Sequence, residues 1–97
     1  MNSFYLVGKI IDSVDMTKTA SGVNIARLHV AVERINKDQE VSSDIFEIVL
    51  FRSLAERTYK DGETIAIAGK LQANNYEKDG VSYYNNSLIA NSIYMME

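Results

Sequence analysis

Cysteine is absent from this chain, and with it go disulfides, thiolate metal sites and a thiol nucleophile. Proline is absent too, and no low-complexity run or internal repeat interrupts the sequence. Tryptophan is missing, so its fluorescence cannot report on a ligand. Nothing approaches the ~18 consecutive apolar residues of a membrane helix. The start, Met1-Asn2-Ser3-Phe4-Tyr5, has neither the basic nor the apolar region of a signal peptide. A cytoplasmic protein with no membrane partner is expected. Positive charge is in short supply: ten Lys and Arg against thirteen Asp and Glu give a net charge of −3. Phosphate binders are usually basic, so a nucleic-acid ligand would require the cations to share one face. No zinc spacing, phosphate-cradling glycine loop or nucleophile–base pair occurs. His29 is the single histidine. Without a carboxylate partner visible in the sequence, it reads as structural. Asp12 and Asp15 sit in a polar stretch with no third ligand and read as solvated. Neither an enzyme nor a cofactor nor a metal site is expected.

What is present is an ordinary globular composition, 46% hydrophobic and 24% charged. It suits one domain over residues 1–97. The clearest pattern is Thr64 to Tyr76, T-I-A-I-A-G-K-L-Q-A-N-N-Y. Ile65, Ile67, Gly69, Leu71 and Ala73 recur every second residue and turn one face of a strand to a core. The other face begins with Ala66 and Ala68, then presents Lys70, Gln72, Asn74 and Tyr76. A cation, two amides and a ring in a row suit a ligand that carries both phosphates and flat bases.

Other elements follow from similar patterns. Phe4 to Ile11 reads as a strand, with Gly8 marking a bend or close approach. Asp12 to Gly22 reads as a polar loop. Val23 to Arg34 reads as a strand whose apolar set moves from Val23 and Ile25 to Leu28, Val30 and Val32, the signature of a β-bulge. Ile35 to Ser43 reads as a hairpin loop. Asp44 to Arg52 is a third strand, and its pattern leaves open which of Phe46 or Phe51 faces inward. Ser53-Leu54-Ala55-Glu56 has the spacing of a capping box and predicts a helix over Leu54 to Tyr59. Lys78-Asp79-Gly80 marks a hairpin tip, and a last strand runs from Tyr83 to Met95. The expected fold is all-β, a five-stranded OB-fold barrel with one short helix between the third and fourth strands.

Four stretches carry a family resemblance. They are Leu6-Val7-Gly8-Lys9; Thr19-Ala20-Ser21-Gly22-Val23 running on to Val30-Ala31-Val32-Glu33-Arg34; Val49-Leu50-Phe51-Arg52 followed by Leu54-Ala55-Glu56; and Gly69-Lys70-Leu71-Gln72 with Asn75-Tyr76-Glu77 and Asp79-Gly80. In order and spacing the chain resembles the bacterial single-stranded DNA-binding protein family over nearly its whole length. The resemblance implies non-catalytic, largely sequence-independent binding of single-stranded DNA in replication, recombination or repair. It implies a ligand face with cations at Lys9, Arg34, Arg52 and Lys70 and rings at Phe51 and Tyr76. Gln72 and Asn74 lie between Lys70 and Tyr76 in the strand's row, and Lys37 and Lys78 are further candidate cations in hairpin loops expected to fold over the bound strand. It also turns Phe51 outward and Phe46 inward. Tyr83 and Tyr84 alternate, one expected to pack and one to be exposed. Met16, Met95 and Met96 read as packing or interface residues.

Departures from the family matter as much. Aromatics common in the family are replaced by Asn36 and Ile45, a basic residue by Asn74, and Glu47 sits on the presumed ligand face. Each stacked base contributes ~1–3 kcal/mol, so binding weaker than that of a housekeeping member is expected. The family typically continues into a flexible linker and an acidic tip that recruits other proteins. The sequence ends at Glu97 without one, so a phage or mobile-element form, or a piece of a longer chain, is expected. Homodimers or homotetramers are implied, and Phe4 and Tyr5 suit an edge that seeks a copy. The competing reading is an OB-fold interaction module, like a primosome adaptor, with weak or lost DNA binding.

Overall fold

The computed structural model describes residues 1–96; Glu97, the last residue of the expected domain, lies outside the described residues. Five strands run in the order β1 (Phe4–Lys18), β2 (Asn24–Ile35), β3 (Val41–Phe51), β4 (Thr64–Lys78) and β5 (Val81–Met96), with α1 (Ser53–Glu56) between β3 and β4. They close into a barrel in the order β1-β2-β3-β5-β4, with β4 paired back onto β1. Among the described residues only the β3–β5 pair is parallel. This is the five-stranded OB-fold barrel predicted by the order of elements.

Alternation fills the core. Ile65 and Ile67 of β4, Ile48 and Leu50 of β3, and Ala26, Leu28 and Val30 of β2 all point inward with Ile10 and Ile93. Burying one such aliphatic chain contributes about 1.5–3 kcal/mol. Phe46 packs against this cluster from its edge, while Phe51 points the other way. The expected slip in β2 is not there. Its pairing with β3 runs in unbroken register from Ile25↔Phe51 to Ile35↔Val41. Ala26 takes the inward position, and Ile25 stays on the outer face beside Phe51. The bulges belong to β1, between Ile10 and Asp12 and between Val14 and Thr17. These interruptions break the alternation and disguise Asp12–Lys18 as a polar loop. The segment is instead a continuation of β1, which pairs first with β4 and then with β2.

The helix also differs from expectation. It starts at Ser53 itself, spans four residues, and has Arg52 as its N-cap with no side-chain capping bond. One residue early is enough to defeat the capping box, because an N-cap hydroxyl reaches the N2 or N3 amide only from outside the helix. Two hairpins close tightly. Asp79 and Gly80 have φ of 52° and 78°, both positive as a two-residue type I′ turn requires. The β2–β3 turn covers only residues 36–40, where the Asn36 amide donates to Glu40 O at 2.8 Å.

Gly69 sits where β4 leaves the barrel wall. An added Cβ would lie 2.0 Å from the Ile89 carbonyl oxygen and 2.7 Å from the Phe4 ring. Opposite it, β5 carries an extra residue, because Ala68 pairs with Ser92 and Gly69 with Ala90. From Lys70 to Asn86 no residue is buried. This part of β4 and β5 is a two-stranded ribbon standing out from the barrel.

Candidate nucleic-acid interface

The outer face of β3 carries Ile45, Glu47, Val49 and Phe51. Val49 is the parallel partner of Ile89 on β5, and Ile89 is the antiparallel partner of Lys70 on β4. Neighbouring strands are about 5 Å apart, so this register carries one surface across three strands. Val49 and Ile89 are covered but stand apart from the main core cluster. Beside them lies an open groove of about 460 Å³, lined by Phe51, Arg52, Lys70 and Gln72 together with Ser53, Leu54 and Asn91.

Arg52 reaches this groove from a strained backbone. Its φ of 56° and ψ of −126° match the first central residue of a type II′ turn, a position dominated by glycine. The conformation redirects the chain from β3 into α1. It is held by the Arg52 amide donating to Asn24 O at 2.9 Å and the Glu56 amide donating to Arg52 O at 3.2 Å.

Beyond the groove, the two-residue period keeps Lys70, Gln72, Asn74, Tyr76 and Lys78 on one face of the ribbon. Lys70 and Tyr76 are about 20 Å apart by strand rise. Asn74 donates from Nδ2 to Ser87 Oγ on β5, which fixes its amide. The Tyr76 ring stacks on Tyr83, its direct cross-strand neighbour, with centroids 4.9 Å apart and planes 14° from parallel. Tyr84, 77% exposed, is on the opposite face beside Asn75. Neither tyrosine is buried, contrary to the expectation that one would pack. Met16, Met95 and Met96 are likewise exposed.

The remaining expected site residues lie elsewhere. Lys9 lines a separate groove of about 440 Å³ with Val7, Ala31, Glu33, Ser43 and Thr64, sharing no lining residue with the first. Arg34 has the parity of the core-facing Val30 and Val32, so it projects from the other side of the β2–β3 hairpin. There its Nε donates to Asp44 Oδ1 at 3.1 Å. Lys37 is exposed in the β2–β3 turn.

One cluster escaped the sequence reading. His29 on β2 lies between Asp12 on β1 and Glu47 on β3, its register partners on either side. Its Nδ1 meets Asp12 Oδ1, and its Nε2 lies 2.9 Å from Glu47 Oε2. Arg27 Nε approaches Glu47 Oε1 at 3.4 Å. The lone histidine therefore does have carboxylate partners, brought from 17 and 18 residues away by strand pairing. A neutral imidazole has one N–H, so it can donate to only one of two carboxylates; the imidazolium donates to both. The hydrogen bond to Asp12, then that to Glu47, holds the His29 pKa above its ordinary 6.5. The two carboxylates sit on opposite ring nitrogens and do not converge on a point. Among the described residues no group of three such side chains could hold a metal ion.

Comparison with known proteins decides the ancestry. The Single-strand binding protein family matches residues 1–96. This chain belongs to that family. Family relatives include Single-stranded DNA-binding protein 1 of Staphylococcus aureus strain Mu50, 35% identical over 100% of this chain and 66% of the relative. Another is Single-stranded DNA-binding protein 2 of Streptococcus agalactiae serotype V, 31% identical over 99% of this chain and 77% of the relative. The chain thus spans about two thirds of the length of the first of these. The wild-type single-stranded DNA binding protein from Thermus aquaticus shares the fold, with a TM-score of 0.84 and 24% identity over 100% of this chain and 50% of that one. Among the described residues no helix is long and apolar enough to cross a membrane.

Proposed function

We propose that this chain binds single-stranded DNA without catalysis and with little sequence preference, as one OB-fold domain acting in the cytoplasm in replication, recombination or repair. Supporting this is the continuity of one face. Phe51, Arg52, Lys70 and Gln72 share a groove, and Asn74, Tyr76 and Lys78 extend it along the ribbon. Cations that track phosphates next to rings that stack bases are what sequence-tolerant binding needs. Lys9 adds a phosphate contact from its own groove. Arg34 contributes less, since it projects from the other side of the hairpin and pairs with Asp44 there, and Lys37 acts only if the strand passes the β2–β3 turn. The test is fluorescence polarisation with labelled oligo-dT over a salt series. Micromolar or tighter binding that weakens on Tyr76→Ala supports the reading; no binding at low salt rejects it.

The chain works as a homo-oligomer in this reading. Tyr5, Val7 and Tyr94 are 78%, 55% and 65% exposed on the outer wall, and the register sets Val7, Ala66 and Tyr94 in one row with Tyr5 and Ala68 in the next. Small alanines between large apolar side chains suit close contact with another copy. A monomer mass by light scattering would contradict this. One observation favours the competing reading as a protein-interaction module: the carboxylates of Asp12 and Glu47 lie on the outer face between the Lys9 groove and the Phe51 groove. A stable protein partner in a pulldown, together with failure to bind oligonucleotides, would favour it.

A further inference from the structure

The stacked pair on the ribbon has no packing duty toward the barrel. No residue from Lys70 to Asn86 is buried, and Tyr76 and Tyr83 remain 52% and 41% exposed. A cross-strand pair does steady a ribbon, by about 0.2–1 kcal/mol, but β-branched residues serve that purpose equally well. What two tyrosines add is geometry. Aromatic pairs adopt either offset stacks or edge-to-face contacts. In an edge-to-face pair the free ring faces would lie at right angles to one another. Here the planes differ by only 14°, so each ring covers one face of its partner and the two outer faces stay parallel, on rings that remain partly exposed. On the same ribbon face, Asn74 and Lys78 neighbour Tyr76 along β4, and Asn85 and Val81 neighbour Tyr83 along β5.

We propose that Tyr83 is a second base-stacking ring, and that Tyr76 and Tyr83 form a preassembled two-ring ledge receiving one nucleobase on each outer face. This rests on the reading of the chain as a single-strand binder. A flat base adds to an existing parallel stack without rotating either ring, so little ordering is needed at the moment of binding. Lys78, one strand period beyond Tyr76, is placed for the phosphate that follows the base stacked on Tyr76.

The test uses the intact chain with labelled oligo-dT and an abasic oligonucleotide of equal length, which keeps the phosphates and lacks the bases. Tyr83→Val keeps a strong strand former in the ribbon. Tyr84→Val, on the opposite face, is the matched control. Tyr83→Val should weaken oligo-dT binding about tenfold, leave abasic binding unchanged, and weaken oligo-dT binding further in a Tyr76→Val background. Tyr83→Phe should bind like the parent. Equal effects on both oligonucleotides, no effect on either, or silence in the Tyr76→Val background would each overturn the proposal while parental binding upholds the broader reading. Failure of the parent chain to bind oligo-dT overturns both.

Discussion

Replacing Arg52 by glycine should raise stability and lower affinity at once. Residues held in sparsely populated backbone regions carry about 1–3 kcal/mol of strain. At φ 56° and ψ −126°, Arg52 is such a residue, and glycine adopts that conformation freely. Glycine loses more conformational entropy on folding, a penalty of about 0.5–1 kcal/mol. The difference leaves a net gain of about 1 kcal/mol, which corresponds to a rise in melting temperature of roughly 4–8 °C for a domain of this size. The backbone bonds to Asn24 and from Glu56 survive, because neither uses the side chain. Binding should move the other way. One phosphate contact changes the salt slope by ~0.7 per decade on single strands. Its loss therefore weakens binding about fivefold at 0.1 M salt relative to 1 M. Arg52→Lys keeps both the charge and the strained backbone, so it should leave melting temperature and salt slope near parental values. Thermal melts followed by circular dichroism, with polarisation titrations at several salt concentrations, provide both observables. A glycine variant that melts lower, or one that binds oligo-dT as tightly as the parent at low salt, would refute the account of Arg52.

Three further perturbations test other parts of the molecule. Gly69→Ala drives a Cβ into the Ile89 backbone carbonyl. It should destabilise by about 3 kcal/mol, at the upper end for overpacking, read as a lower urea midpoint. The His29 ring proton signals, unambiguous in a chain with one histidine, should titrate above 6.5 and fall back toward it in Asp12→Asn/Glu47→Gln. Because the folded-state pKa is the higher one, the stabilisation from the His29 cluster is fully present below pH 6.5. It is lost as pH rises through the raised value; a parent whose stability advantage over His29→Gln grows with pH would contradict this. Glu47→Gln removes a negative charge from the outer face and should tighten oligo-dT binding at low salt, with the gain vanishing as salt screens it.

The sequence made the barrel readable because the fold depends on features that survive in one dimension. Ile65, Ile67 and Gly69 show a strict two-residue period, and Asp79-Gly80 is a turn pair whose backbone requirement is local. Where pairing partners set the structure, the reading failed. Asp12–Lys18 is a strand because β2 lies beside it, and its two bulges erase the period that would have shown it. Ser53 has the right neighbours for a cap, but the turn at Arg52 starts the helix one residue early. Among the site residues, strand parity alone puts Lys70, Gln72, Asn74, Tyr76 and Lys78 on one face of β4; Phe51 joins them through the β3–β5–β4 register and Arg52 through its positive-φ turn. Arg34's projection from the other side of the β2–β3 hairpin is legible in the sequence, in its parity with Val30 and Val32. The His29 cluster was not legible, since no spacing announces that residues 12, 29 and 47 share a row. Nor was the Tyr76–Tyr83 stack, which needs the register of the ribbon.

The ribbon's independence from the barrel has a further consequence. Core contacts of β5 reach no farther toward the tip than Leu88, and beyond that point β4 and β5 pair only with each other. Adding or deleting matched residue pairs near Asp79-Gly80 would change the ribbon's reach by about 7 Å for every two pairs while leaving the barrel interior untouched. The ribbon's reach is therefore a dimension that evolution, or an engineer, can adjust like the arm of a caliper, separately from whether the body folds.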